Sequence, residues 1–359
     1  MRRYDYSFLK NEIPGSIVGL TEVIADLKSK ESFRKLQYSK TFERLQRRAI
    51  IESVKGSNAI EGIVTTDNRI REIVNGSEPI THDELEISGY KDALNLIHTS
   101  HDTLDVEEDV IRLFHRTIEE GSNRNEAGNY KTTSNYILEY GPDGRRRVRF
   151  KPVKPSDVPE HMEQMLLAYY DARQDSEISP LLLIPCFILD FLCIHPFTDG
   201  NGRVSRLLTV LLLYHAGYDI VRYISFEGQV NRYKASYYDA LEKASSGWGE
   251  NENDYVPVII NFLQILYRCF KDLDDAFMEI SLKKAKKSER VENLLMGAIV
   301  PISKQEIADK VPDISVYTIE QVLGKLLKEK KITKIGTYRN ARYLNFRSKI
   351  GSNPDSIRV

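Results

Sequence analysis

The chain has 359 residues, a formal net charge of −1, 41% hydrophobic residues and 29% charged residues. This composition is typical of a soluble globular protein with two or three domains, and it excludes a low-complexity chain. The longest apolar run, Pro180 to Ile194, is too short to span a bilayer and contains Asp190, so we expect no membrane interaction. No signal peptide is visible at the N-terminus, and three cysteines without a CxxC pair indicate a reducing, cytoplasmic location.

Apolar residues at helical spacing recur along most of the chain and predict a mainly α fold. A capping-box pattern starts at Thr81, because Glu84 follows three residues later. Ser179 followed by Pro180 is a second strong helix start. The other predicted helix boundaries are a start at Thr41 and ends at Gly121 and Gly217.

One stretch before residue 280 is typical of β structure. The run from Tyr136 to Tyr140 is followed by Pro142, Asp143 and Gly144, and then by Val148–Phe150. Pro-Asp-Gly between two such runs favours a tight turn, so the stretch predicts a β-hairpin.

The C-terminal segment differs from the rest of the chain in charge. Residues 283–349 contain 16 Lys and Arg against 7 Asp and Glu, a balance of +9, so the remainder carries −10. The polar, Lys-rich residues 281–290 predict a hinge. Three helices, the third of them the longest, and then two short strands follow the hinge. This order resembles a winged helix-turn-helix domain over residues 288–349.

The stretch HPFTDGNGRVSR has the composition of an anion-binding site. The apolar helix must end at His195, because a proline follows it. Gly200 and Gly202 remove side chains ahead of the next helix start, where backbone N–H groups can bind an anion. Arg203 and Arg206 add two guanidinium groups, which bind phosphate oxygens well.

Two further residues of this stretch suggest chemistry. Asp199 would repel a phosphate unless a cation lies between them, and Mg²⁺ binds carboxylates together with phosphate oxygens. His195 can act as a base near neutral pH. The residues therefore predict a phosphoryl- or nucleotidyl-transfer site, and the alternative is a capped turn with exposed arginines and a satisfied histidine.

These twelve residues match the signature HPFxxGNGRxxR, and the chain resembles the Fic family over about Thr41 to Phe270. The best-known members of that family transfer AMP from ATP to protein hydroxyls. The resemblance implies a helical bundle with a β-hairpin flap. It also implies an N-terminal helical region over residues 1–110 and a catalytic core over residues 111–280.

The resemblance implies a role for each residue of the motif. His195 would be the base, Phe197 the anchor of the loop in the core, and Asp199 the Mg²⁺ ligand. Gly200, Asn201 and Gly202 would line the α-phosphate site of ATP. Arg203 would bind the outer phosphates, and Arg206 the γ-phosphate.

Two other segments resemble parts of the family site. Tyr237 and Tyr238 are similar to its nucleotide-pocket tyrosines, although aromatic packing explains them as well. The predicted hairpin is similar to the flap that holds a target protein by strand addition, and a plain surface hairpin is the alternative.

The segment SNAIEG, residues 57–62, matches the family's inhibitory motif. By this resemblance Ser57, Glu61 and Gly62 form a brake. Glu61 would pair with Arg206 and fill the γ-phosphate position. Taken alone, the segment is also compatible with a surface turn that carries a glutamate.

The sequence therefore predicts an auto-inhibited protein adenylyltransferase that uses Mg-ATP. Two other functions remain open. The winged helix could bind DNA through residues 317–331 and a wing at residues 336–342, with the Fic core as a sensor; the same fold also serves for protein docking. Alternatively, the enzyme could remove AMP, with Glu61 positioning a water molecule. A homodimer is possible.

Overall fold

The computed structural model describes residues 2–11, 13–122, 125–140, 146–284, 287–296, 298, 301–337 and 341–345. The chain divides into two compact units, Met1–Leu273 and Asp274–Val359. Among the described residues, no helix combines the length and the apolar character that a bilayer-spanning segment needs.

The first unit is mainly helical, as the sequence predicts. Its helices are α1 (Gly15–Gln37), α2 (Ser39–Ile60), α3 (Asp67–Val74), α4 (His82–Ser100), α5 (Glu108–Glu119), α6 (Val158–Gln174), α7 (Pro180–Ile194), α8 (Asn201–His215), α9 (Phe226–Arg232), α10 (Lys234–Ser245) and the first part of α11 (Val256–Lys284), which ends in the second unit. Short 3₁₀ turns lie at Ser7–Lys10, Pro155–Asp157, Asp219–Arg222 and Trp248–Glu250.

The predicted hairpin is present as β1 (Ile137–Tyr140) and β2 (Arg146–Phe150), which pair antiparallel. The register shifts between Ile137 and Leu138, which marks a bulge near the start of β1. The predicted turn residues Pro142, Asp143 and Gly144 lie outside the described residues.

Helix α7 is buried along almost its whole length, and its one charged residue ties the N-terminus of the chain to it. The Asp190 carboxylate is fully buried and accepts hydrogen bonds from Tyr6 at 2.8 Å, Trp248 Nε1 at 2.6 Å and Tyr255 at 2.7 Å. Arg2 forms an ion pair with it at 3.2 Å. A buried carboxylate needs such partners, and together they hold α7 in place.

Two glycines allow the N-terminal helices to pack closely on the core. A Cβ atom on Gly56 of α2 would lie 3.0 Å from the backbone of Glu227 in α9. A Cβ atom on Gly89 of α4 would lie 2.5 Å from the carbonyl oxygens of Thr117 and Ile118 in α5. The helices on the two sides of residue 110 therefore pack closely against each other.

The predicted helix boundaries hold where a cap or a left-handed residue is present. The Thr81 hydroxyl accepts from the Glu84 N–H at 3.2 Å, α7 begins at Pro180, and Gly217 ends α8 with a φ of 73°. The start at Thr41 is wrong, because α2 begins at Ser39 and Thr41 lies inside it. Ser179 occupies the N-cap position of α7 without a side-chain hydrogen bond, and α5 ends at Glu119, two residues before Gly121.

The second unit contains α12 (Lys287–Met296), β3 (Ile302–Ser303), α13 (Lys304–Lys310), α14 (Val316–Lys328), β4 (Ile332–Ile335) and β5 (Arg342–Asn345). The strands form an antiparallel sheet in the order β3-β5-β4. Its core includes Val291, Leu295, Ile307, Ile319, Leu326 and Tyr343. The sequence did not predict β3, because two residues are too few for a periodic signal.

The predicted hinge over residues 281–290 is wrong for its described residues. Helix α11 continues through Lys284, and α12 already begins at Lys287. Lysine is a good helix former, so a polar Lys-rich stretch does not by itself break a helix. Part of the predicted wing, residues 338–340, lies outside the described residues.

We predict that Gly89→Ala destabilises the first unit by about 1–3 kcal/mol, because a methyl group has no room against the backbone of α5. Gly19→Ala is the matched control, since a Cβ atom on Gly19 of α1 meets nothing within 4 Å. It should stabilise the same unit by about 0.5–1 kcal/mol. Urea unfolding of the two variants measures both changes, and equal stabilities would contradict the close approach of α4 and α5.

Candidate active site

The loop between α7 and α8 contains the motif residues, and two left-handed residues give it its shape. His195 has a φ of 51° and Gly200 a φ of 75°. A Cβ atom on Gly200 would lie 3.2 Å from both His115 Cδ2 and Glu119 Oε1. Glycine is therefore required at position 200 both for its backbone angle and for space.

Phe197 and Asn201 close this loop. The Phe197 ring is fully buried and stacks on His115, with ring centroids 3.9 Å apart. Asn201 Oδ1 accepts from the Phe197 N–H at 3.0 Å, and Asn201 Nδ2 donates to the Phe197 carbonyl oxygen at 2.8 Å. The side chain of Asn201 is thus used within the loop, whereas the sequence suggested a place beside the α-phosphate.

His115 supports the loop from α5, and the sequence analysis missed it. Its Nδ1 accepts from the Gly128 N–H at 2.9 Å, so Nε2 carries the proton and donates to the Asp199 carbonyl oxygen at 3.2 Å. Burial lowers the pKa of His115 to about 4, which keeps the ring neutral. The only signal in the sequence was its position on the apolar face of α5, which any core histidine shares.

His195 is arranged as a neutral base. Its Nδ1 lies 3.2 Å from the Leu192 carbonyl oxygen, which can only accept, so Nδ1 carries the proton and Nε2 has a free lone pair. Burial and then the Lys131 cation lower the pKa of His195 to about 4, although the carboxylates of Asp199 and Glu61 raise it. At pH 7 this imidazole can accept a proton.

The structure brings Ser57, Glu61 and Arg206 together in front of α8. The Arg206 guanidinium is buried, and its Nε donates to Ser57 Oγ at 2.8 Å. Its second amino group donates to the Ser57 carbonyl oxygen at 3.0 Å and to Glu61 Oε1 at 2.7 Å. That Glu61 oxygen would lie only 2.2 Å from a Cβ atom on Gly202, and Gly62 turns the chain away with a φ of 85°.

Arg203 occupies a different environment, although it lies only one turn before Arg206. Its side chain is 1% exposed and forms ion pairs with Glu86 and, at 2.8 Å, with Glu119. Burial raises the pKa of Glu119, while Arg203 lowers it. The sequence suggested a ligand for the outer phosphates, but the structure uses this guanidinium to neutralise two carboxylates from α4 and α5.

One cavity lies beside His195, Glu61 and Arg206. Tyr237 and Tyr238 of α10 line it, and their ring centroids lie 5.6 Å apart. Burial raises the pKa of Tyr237 to about 12, so the hydroxyl stays protonated at neutral pH. The other lining residues are Glu61, His195, Gly202, Arg206, Ser245, Arg149 and Phe150 of β2, and the apolar side chains Ile137, Leu189, Leu192, Cys193 and Leu241.

Asp199 is exposed, and its Oδ1 accepts from the Gly200 N–H at 2.6 Å. Within the described ranges, no three His, Cys, Asp or Glu side chains are grouped so that they could hold a metal ion. A single carboxylate fits Mg²⁺ where phosphate oxygens and water complete the shell, which is the usual arrangement for this ion. Asp199 is therefore suited to a metal that enters together with a nucleotide.

Part of the chain matches a known protein family. The Fic/DOC family model matches residues 104–213. Protein adenylyltransferase Fic of Nematostella vectensis is 27% identical over 249 residues, which is 66% of this chain and 50% of the relative. Protein adenylyltransferase fic-1 of Caenorhabditis elegans is 27% identical over 227 residues, 61% of this chain and 41% of the relative.

Solved structures share the fold. A Fic family protein from Desulfovibrio desulfuricans G20 covers 93% of this chain and 97% of its own, with a TM-score of 0.63 and 19% identity. Fic-1 of C. elegans covers 74% and 73%, with a TM-score of 0.58 and 23% identity. Residues 104–213 therefore match a Fic domain, and the chain spans about half the length of the curated relatives it matches.

We predict that Arg203→Met destabilises the protein by about 3–5 kcal/mol, because Glu86 and Glu119 would stay buried without a cation. Arg203→Met combined with Glu86→Gln and Glu119→Gln should recover much of the loss. Thermal unfolding measures both. If Arg203→Met kept full stability and lost only nucleotide affinity, Arg203 would be the phosphate ligand that the sequence suggested.

Proposed function

We propose that this protein is an auto-inhibited adenylyltransferase, which transfers AMP from ATP to a hydroxyl side chain of a target protein or of itself. The observation that carries the proposal is the buried Arg206 guanidinium at the start of α8, which holds the carboxylate of Glu61. An anion already occupies the place where a phosphate would bind. The activity in the names of the relatives supports the same reaction.

In this proposal the triphosphate of ATP lies in front of α8, where the backbone N–H groups near Gly202 and the side chain of Arg206 bind it. Arg206 takes the γ-phosphate when Glu61 has left. Tyr237 and Tyr238 line the part of the cavity that we assign to the nucleoside. When bound, Mg²⁺ neutralises phosphate charge, and Asp199 is the residue that would hold it.

The chemical step needs one base. The hydroxyl oxygen of the target attacks the α-phosphorus of ATP, a new P–O bond forms, and pyrophosphate leaves. His195 Nε2 accepts the hydroxyl proton, because Nδ1 is held by the Leu192 carbonyl oxygen. Asn201 and His115 act through the loop, since they hold Phe197 and therefore the orientation of His195.

Glu61 acts as the brake because its carboxylate and a γ-phosphate would compete for one guanidinium. If the Glu61 carboxylate and the γ-phosphate were both at this guanidinium, the two anions would repel each other strongly, because the site is partly buried. The glutamate side chain is 31% exposed, so it can leave without unfolding the core. With Glu61 in place, ATP binds unproductively or not at all.

The hairpin supplies the surface on which we place the target protein. In the described part of the chain, β1 and β2 pair only with each other, so each strand keeps one edge for an added strand. We place the reaction in the cytoplasm, where the three buried free thiols, Cys186, Cys193 and Cys269, would stay reduced.

We predict that Glu61→Gly raises AMP transfer at least about tenfold over wild type, equivalent to about 1.4 kcal/mol. ATP labelled at the α-phosphate should label the protein, and ATP labelled at the γ-phosphate should not. Arg206→Ala in the Glu61→Gly background should abolish the gain. Glu163→Ala, which removes an exposed glutamate on α6, is the control and should behave as wild type.

Other outcomes of the labelling experiment would favour other functions. Label from the γ-phosphate would mean phosphate transfer, and no label from either position would favour a sensing role for the core. Removal of AMP is tested on an AMP-modified protein. If wild type releases AMP and Glu61→Gly does not, Glu61 positions a water molecule and is not a brake.

The second unit favours an additional role, and we propose that it is a winged helix-turn-helix that contacts DNA. The first turn of α14 exposes Val316 and Tyr317, which are 56% and 70% exposed. The exposed lysines Lys328, Lys330 and Lys334 follow, and none has an ion pair among the described residues. An exposed helix start suits contact with bases, and exposed lysines without ion pairs suit contact with phosphates.

We predict that the protein binds duplex DNA at low salt and that the affinity falls linearly on a logarithmic salt scale. Replacing Lys328, Lys330 and Lys334 together by Glu should reduce the slope by about three. Lys310→Glu, an exposed lysine on α13, is the control. Fluorescence anisotropy measures both, and absence of binding at low salt would favour protein docking by this unit.

A further inference from the structure

The short segment from Lys131 to Asn135, just before the hairpin, clasps the loop that carries His195. The Lys131 N–H donates to the Pro196 carbonyl oxygen at 2.9 Å. The Lys131 ammonium donates to the Ile194 carbonyl oxygen at 3.3 Å and to Asn135 Oδ1 at 2.9 Å. Asn135 Nδ2 then donates to the Phe197 carbonyl oxygen at 3.2 Å. One of these four hydrogen bonds lies within the segment. The other three join the segment to residues on both sides of His195.

Lys131 is an unusual residue to find in this place. Its side chain is 4% exposed, and none of its described contacts is with a carboxylate. Burial lowers the pKa of Lys131 to about 8, so the amine is mostly charged at pH 7. A buried cation without an acidic partner costs free energy, and an aliphatic side chain would fill the same space more cheaply.

The place of this cation in the helix explains how it is tolerated. The Ile194 carbonyl is among the last carbonyls of α7, which have no partner inside the helix and form its negative end. The ammonium satisfies that carbonyl one residue before the base. The Lys131 ammonium therefore lies close to His195, because the carbonyl group that it binds belongs to the preceding residue.

We propose that Lys131 is a positioning residue for His195, whose buried ammonium holds the end of α7 and keeps the neighbouring imidazole ready to accept a proton. This inference rests on the proposed function, because it assumes that His195 is the base whose orientation and charge state Lys131 controls. Around the His195 ring, Lys131 disfavours the imidazolium, while Asp199 and Glu61 favour it. The guanidinium groups of Arg149 and Arg206 line the same cavity. In Glu61→Gly one of the two opposing carboxylates is absent.

The sign of the effect follows from these charges. Removing the Lys131 cation should raise the pKa of His195 from about 4 toward its ordinary value. A general base works only in its unprotonated form, so the rate falls as the pH drops below that pKa. The acid limb of the pH–rate profile should therefore move to higher pH in a variant without the charge.

The test uses full-length protein in the Glu61→Gly background. We expect Lys131→Met to lower kcat for AMP transfer by about tenfold to a hundredfold with little change in KM for ATP, because the loop and not the nucleotide site is changed. Lys131→Gln can still donate to the Ile194 carbonyl oxygen but lacks the charge, so it should move the acid limb with a smaller loss of kcat. Lys131→Arg should restore most of the activity.

Two controls separate the charge from the clasp. Asn135→Ala removes the hydrogen bond to Phe197 but keeps the cation, so it should lower kcat and leave the acid limb in place. Lys30→Met, which removes a half-exposed lysine of α1, should change neither. Thermal unfolding of every variant shows which of them remain folded, and Lys131→Gln replaces Lys131→Met if the latter does not fold.

Titration of the His195 imidazole by NMR provides a readout that does not depend on activity. A higher pKa of His195 in Lys131→Gln supports the proposal even if Glu61→Gly transfers no AMP, in which case the proposed function alone fails. An unchanged pKa of His195 in folded Lys131→Gln overturns the proposal. So does a pH–rate profile of Lys131→Gln that coincides with that of Glu61→Gly.

Discussion

The Arg206 guanidinium needs an anion, and the structure of the site depends on how that need is met. Arg206 is buried in the first two turns of α8, where the helix end already carries partial positive charge. Ser57 and Glu61, at the end of α2, supply two oxygens and a carboxylate. The pair joins residues that are 145 positions apart in the chain. It therefore fixes the end of α2 against the start of α8.

Helix α8 carries two arginines, Arg203 and Arg206, whose guanidinium groups lie in different environments. Arg203 contacts α4 and α5, where Glu86 and Glu119 surround it and exclude solvent. Among the described residues, Arg206 forms an ion pair with one carboxylate, and that carboxylate is 31% exposed. A guanidinium with two buried partners cannot bind a ligand without leaving two charges behind. A guanidinium with one exposed partner can exchange it, which is what a ligand site requires.

The sequence predicted the mainly α fold and the hairpin well, because both rest on local signals. The Pro196 helix end, the cap at Thr81 and the left-handed Gly217 depend on neighbouring residues, and the structure has all three. Thr41 failed as a helix start because α2 begins two residues earlier, at Ser39, with Tyr38 at the N-cap position and no side-chain cap bond. The partners of Arg203, and the roles of His115 and Lys131, depend on contacts between distant segments. A single sequence holds no local pattern for such contacts.

The packing of α2 limits which movements could separate Glu61 from Arg206. Gly56 lies against the backbone of α9, and the Ser53 hydroxyl donates to the buried Glu227 carboxylate at 2.8 Å. Moving the whole helix would break these contacts and expose a buried carboxylate, which is costly. Glu61, in contrast, lies just beyond the helix end at Ile60, and its ion pair with Arg206 is its one described contact with a charged group. Rotation of the Glu61 side chain would break the ion pair and leave in place both hydrogen bonds that Arg206 donates to Ser57. If that carboxylate were withdrawn, the scaffold would stay the same, and the two hydrogen bonds to Ser57 would keep Arg206 oriented.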